Sequence, residues 1–80
     1  MDVNNAIRKR IGEILEERNI SLTSLCLQSN LTPSTIFDFM NCRSKSPTII
    51  TIKKLCVGEG ITLQEFFDRD FFNSDEDVYN

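Results

Sequence analysis

The stretch "NLTPSTIFDFMNCRSKSP", residues 30–47, decides how the chain is read. Thr32 is placed as an N-cap, and Pro33 follows at the first helical position, where a missing N–H costs nothing. The helix that follows carries Ile36, Phe37, Phe39 and Met40. At about 100° per residue, Ile36, Phe39 and Met40 share one face, Ser34, Asp38 and Asn41 share the opposite one, and Phe37 sits at the boundary. A short helix thus buries one side and offers a polar side to something else. A basic loop, Arg43 to Lys45, follows it directly.

Working outward, helical signals continue on both sides. Upstream, Asp2 caps a first helix in which Val3, Ile7, Ile11, Ile14 and Leu15 recur at three- and four-residue spacings. Arg8, Lys9, Arg10 and Arg18 read as its solvated face. Asn19 suits a left-handed C-terminal residue, with Ile20 as its apolar follower. Ser21 caps a second helix, Leu22 to Ser29, with Leu22, Leu25 and Cys26 inward, and "SNLT" makes a tight turn in which Asn30 tolerates positive φ. Downstream, Pro47 and Thr48 start a fourth helix whose predicted core stripe is Ile49, Ile52, Leu55 and Cys56. Gly58 and Gly60 end it. Thr62 and Glu65 match a capping box that opens a fifth helix carrying Leu63, Phe66 and Phe67. No alternating strand pattern and no internal repeat is present.

Composition narrows the function classes. Eighty residues make one domain, with 40% hydrophobic residues to fill its core. No apolar run approaches the roughly 18 residues of a membrane span, and no basic start leads into an apolar run, so a soluble cytoplasmic protein is expected. Three cysteines (Cys26, Cys42 and Cys56) without a histidine or a CxxC pair predict no metal site and no cofactor. Cys26 and Cys56 fall on apolar faces and read as small buried hydrophobes. The same shortage of a base beside any serine or cysteine argues against an enzyme. Net charge is −3, unevenly spread: residues 1–58 carry eight Lys and Arg against five Asp and Glu, whereas residues 59–80 carry one Arg against seven acids. The expected organisation is a folded domain over 1–70 and an acidic C-terminal tail over 71–80, although Phe71 and Phe72 call for burial.

Two short helices joined by a tight turn are a helix-turn-helix signature, and here the residues resemble the Cro/repressor-like (XRE-type) family over about residues 6–68. The resemblance rests on Ile20-Ser21 opening helix two, Leu25-Cys26 where the family has Leu-Ala, the Asn30-Leu31-Thr32 turn, and Ser34-Thr35-Ile36 opening helix three. Ser46-Pro47-Thr48 before helix four and Gly60-Ile61-Thr62-Leu63 through Phe66-Phe67 complete it. It implies an all-α, compact five-helix lambda-repressor-like domain. Three positions depart from the family pattern. Asn41-Cys42 replaces an Asn-Gly turn, implying a stiffer exit from helix three. Glu59 replaces an apolar residue, implying a more exposed helix end. Leu15 and Met40 stand where many members pair an Arg with a Glu, so the two are expected to touch in the core.

The resemblance implies double-stranded DNA as partner, with helix three (about residues 33–41) in the major groove. Ser34, Thr35, Phe37 and Asp38 are then the base-facing candidates: Phe37 meets a thymine methyl or packs at the core edge, and Asp38 accepts from cytosine N4 or is merely solvated. Ser21, Thr23, Thr32, Asn41, Arg43, Ser44 and Lys45 are the phosphate candidates. A module this small is expected to pair as a homodimer, with Ile50 and Val57 forming an apolar patch together with Phe71 or Phe72. The implied function is a sequence-specific transcriptional regulator acting as a repressor. The competing reading, supported by Asp38 and the acidic end, is a protein-interaction module of the same fold, an antitoxin-like or anti-repressor partner.

Overall fold

α1 spans Val3–Arg18 in the computed structural model, which describes residues 2–43 and 46–73. The Asp2 carboxylate caps it by accepting the Asn5 N–H at 2.8 Å. Ala6, Ile7, Ile11 and Ile14 are buried along one stripe, while Val3, in the first turn, stands exposed. α2 (Leu22–Gln28) is capped by the Ser21 hydroxyl, which accepts the Ser24 N–H, and buries Leu25 and Cys26. α3 (Pro33–Met40) buries Ile36 and Phe39. α4 (Ile49–Glu59) opens on a Thr48 cap, and α5 (Leu63–Phe66) on the Thr62–Glu65 capping box, with both reciprocal bonds formed at 2.9 and 3.0 Å. A 3-10 turn, Asp70–Asn73, follows and packs on α1. Five α-helices and no strand make up the described residues, so the all-α five-helix expectation holds.

Four of these helices end in one backbone motif. A left-handed residue stands just past the end (Asn19 at φ 53°, Asn30 at 54°, Cys42 at 61°, Gly60 at 70°). The N–H of the next residue bonds back to a carbonyl five positions earlier: Ile20 to Leu15, Leu31 to Cys26, Arg43 to Asp38, and Ile61 to Cys56. This satisfies helix-end carbonyls that would otherwise face the core or solvent alone.

The core joins Ile7, Ile11, Ile14, Leu25, Phe39, Ile52, Leu55, Cys56 and Phe66, with Leu15 and Met40 both half-buried against it. α2 packs on α3 and α4, and α4 on α5. Gly58, read from sequence as part of the helix end, lies in the last turn of α4 and serves this packing. A Cβ there would fall 2.4 Å from Ser29 Oγ, 2.7 Å from Ser29 Cα and 2.8 Å from the Gln28 carbonyl oxygen. Gly60 alone terminates the helix.

Three sequence expectations are corrected. Ile49 does not join the core stripe: it is exposed, because it is the first residue of α4 and shares the face of Ile52 and Cys56 only at the helix end, where the core does not cover it. Glu59 is not exposed but buried, because Arg18 reaches it, Nε to Oε1, at 3.6 Å. A carboxylate can be buried when a cation compensates it. Arg10 is not solvated either. It is buried, and its guanidinium donates to the Phe66 and Glu65 carbonyl oxygens at 2.8 and 3.2 Å, closing the C-terminal end of α5. Glu13 holds both Arg10, at 3.5 Å, and Arg69, at 3.2 Å, so these charges tie α1 to the segment after α5.

Candidate nucleic-acid interface

α3 divides its side chains as its periodicity requires. Ile36 and Phe39 are buried, whereas Ser34, Thr35, Asp38 and Asn41 are exposed together on the outer side. Phe37 stands at the margin, 39% exposed, which leaves an aromatic edge available beside the polar groups. Thr32 has the extended backbone of an N-cap, yet its hydroxyl makes no capping bond. That hydroxyl therefore remains free to bind elsewhere, and it lines a small hollow of about 210 Å³ with Thr35 and with Lys54 from α4.

The far end of α3 is fixed from two directions. Arg8 of α1 donates from Nε to the Phe39 carbonyl oxygen at 2.8 Å, and its guanidinium lies 4.5 Å from the Phe39 ring centre. A cation at a helix C-terminus is favourable both for the orphan carbonyl and for the helix dipole. The exit itself is then locked by Cys42 N–H on the Phe39 carbonyl at 3.0 Å and Arg43 N–H on the Asp38 carbonyl at 2.7 Å. The second bond sets where Arg43 leaves the helix, and Arg43 is exposed. The outer side of α3 therefore ends on a cation whose backbone is fixed. Oriented hydroxyls followed by a cation match the requirements of a duplex, in which groove edges and phosphates lie side by side.

The description Cro/C1-type HTH DNA-binding domain matches residues 10–71. The chain belongs to that family. The match runs from the buried Arg10 to Phe71 and takes in all six stretches of sequence on which the helix-turn-helix reading rested. The crystal structure of the prophage Lp1 protein 11 is similar throughout, with a TM-score of 0.79 and 29% identity over 91% of this chain and 96% of that chain. No match was found among the curated proteins.

In this Cro/C1-type domain the sequence-selected residues fall into three groups. Thr32, Ser34, Thr35, Phe37, Asp38, Asn41 and Arg43 lie exposed along α3, its cap and its exit. Ser21 and Thr23 are exposed at the start of α2, but the Ser21 hydroxyl is already engaged, accepting from the Ser24 N–H and donating to Ser24 Oγ at 3.1 Å. Ser44 and Lys45 lie outside the described residues. Sequence reasoning missed Arg8, which holds the Phe39 carbonyl, and Lys54, which shares the hollow at the start of α3. Neither carries a local signal: each acts on a residue 31 or about 20 positions away in the chain.

Among the described residues no group of three or more His, Cys, Asp or Glu is placed to hold a metal ion, and no helix is long and apolar enough to cross a membrane. Burial pushes the Cys26 and Cys56 thiols up from their ordinary range, whereas Cys42 is exposed at the α3 exit.

Proposed function

We propose that this Cro/C1-type domain is a sequence-specific repressor that acts in the cytoplasm as a homodimer, each copy laying α3 in the major groove of one operator half-site. The observation that carries this reading is the exposed Ser34–Asp38 strip ending on an Arg43 fixed by its own backbone bond. Ser34 and Thr35 are the base-reading groups, with Phe37 against a thymine methyl and Asp38 accepting from cytosine N4. Arg43 and Lys45 bind phosphates, helped by Thr23, Thr32, Asn41 and Ser44, while Ser21 acts chiefly by capping α2. No glutamine or arginine faces the bases on α3, and bidentate contacts from such residues are each worth about 1–3 kcal/mol. Affinity therefore rests on phosphates and on pairing of two half-sites. Repression follows from occupancy, since a bound duplex is closed to other proteins.

The test is fluorescence anisotropy on a duplex selected from a random pool, across a salt series. With about five phosphates per subunit, log Kd should change with log salt at a slope near 4–5 per subunit. Arg43→Ala with Lys45→Ala should weaken binding at least tenfold and make that slope shallower by about 2. Unchanged affinity and slope in the double variant would remove the assignment.

A further inference from the structure

The side of α4 turned away from the core is strongly apolar. Ile49, Ile50 and Val57 are 62%, 70% and 67% exposed. With Leu63 of α5 and the backbone at the end of α2 they line an open groove of about 590 Å³. Lys53 and Lys54 stand in the same groove, no acid lines it, and neither lysine makes an ion pair with a described residue. Exposed aliphatic side chains set side by side offer contact to an apolar partner. A second copy laid face to face would bring four lysines together with no acid between them, and like charges in a contact cost several kcal/mol. The surface therefore selects an occupant that is acidic and apolar at once.

The chain contains such a segment. Residues 75–79 read Asp-Glu-Asp-Val-Tyr, three consecutive acids followed by two residues with apolar bodies. Its point of departure is also close. The Phe72 ring packs on Phe67 at 4.9 Å, and Phe67 donates its N–H to the Leu63 carbonyl, one helical turn back. Side chains one turn apart stand about 5–6 Å from each other, so Phe72 is roughly 10 Å from the groove rim at Leu63. Six further residues extend up to about 20 Å. A segment tethered this close is present at an effective concentration in the millimolar range, enough to fill a weak site.

We propose that residues 75–79 of the same chain occupy the α4 groove, with the acids on Lys53 and Lys54 and with Val78 and Tyr79 against Ile50 and Val57. The acidic end then serves as an internal cover for the apolar face of α4. The proposal is independent of how α3 meets DNA.

The experiment is solution NMR on the full chain. Wild type should show nuclear Overhauser contacts between the Tyr79 ring and the methyls of Ile50 and Val57, unchanged on dilution. Asp75→Asn, Glu76→Gln and Asp77→Asn together should abolish them and shift the amides of residues 49–58, with an unaltered circular dichroism spectrum. Lys53→Glu with Lys54→Glu should do the same, and adding Asp75→Lys, Glu76→Lys and Asp77→Lys to that variant should restore the contacts. Absence of Tyr79–methyl contacts in wild type overturns the proposal. So do contacts that fade on dilution, which would place a second copy in the groove, and so does failure of the charge swap to restore them.

Discussion

The exits of α3 and α4 share a backbone and differ in the residue that follows. Past α4, Gly60 takes the left-handed position and Ile61 comes next, half-buried against the core. Past α3, Cys42 takes that position and Arg43 comes next, exposed. α1 and α2 side with α4, since Ile20 and Leu31 are also packed on the core. In those three places an apolar follower anchors the chain by its own burial, and the hydrogen bonds of the motif add to an outcome that burial already favours. At α3 the follower is not buried, and the two backbone bonds to Phe39 and Asp38 hold the exit together with the Arg8 bond to the Phe39 carbonyl. One helix ending thus closes the core three times and points a cation outward once. The outward version is found beside the exposed strip of α3.

Exchanging the followers tests this contrast, and the largest effect is expected on the apolar side. Ile61→Arg should lower stability by about 2 kcal/mol in urea denaturation, because a half-buried aliphatic side chain is lost from the core margin. A loss under 0.5 kcal/mol would mean that the follower is not an anchor. Arg43→Ile, the reciprocal change, should leave stability within about 0.5 kcal/mol and weaken duplex binding about tenfold, or 1.4 kcal/mol. If stability and binding fell together, Arg43 would be a folding residue. Cys42→Gly should raise stability by about 0.5–1 kcal/mol, since glycine removes the Cβ cost of φ 61° and gives back part of that gain as backbone entropy. Asn30→Gly, at φ 54°, should change stability by less than about 0.5 kcal/mol, because asparagine tolerates this region. An equal response at positions 30 and 42 would show that Cys42 carries no strain.

The same contrast explains what was legible in the sequence. Asn19, Asn30, Gly60 and the Thr62–Glu65 box were readable because a cap is a matter of three to six neighbouring residues. Cys42 was marked only by standing where the family has glycine, since cysteine has no tendency toward positive φ and the bonds from Cys42 to Phe39 and from Arg43 to Asp38 hold it there. The two sides of α3 followed from period alone. The charged residues did not. Arg8, Arg10 and Glu59 meet partners 31, 55–56 and 41 positions away, and nothing in a helical period distinguishes them from solvated neighbours. Ile49 fails for a related reason. Period sets Ile50 apart from Ile52 but groups Ile49 with it, and only packing at the first turn of α4 leaves Ile49 uncovered.

Gly58 has a consequence for how the domain could engage a partner of fixed shape. The Gln28–Ser29 main chain approaches the last turn of α4 there, with only the small Ser29 side chain beside it. α2 and α4 are held in close contact there, and α3 is packed on α2. The direction in which the Ser34 edge faces therefore depends on a hydrogen atom at position 58, and any larger residue there would push α2, and α3 with it, away from α4.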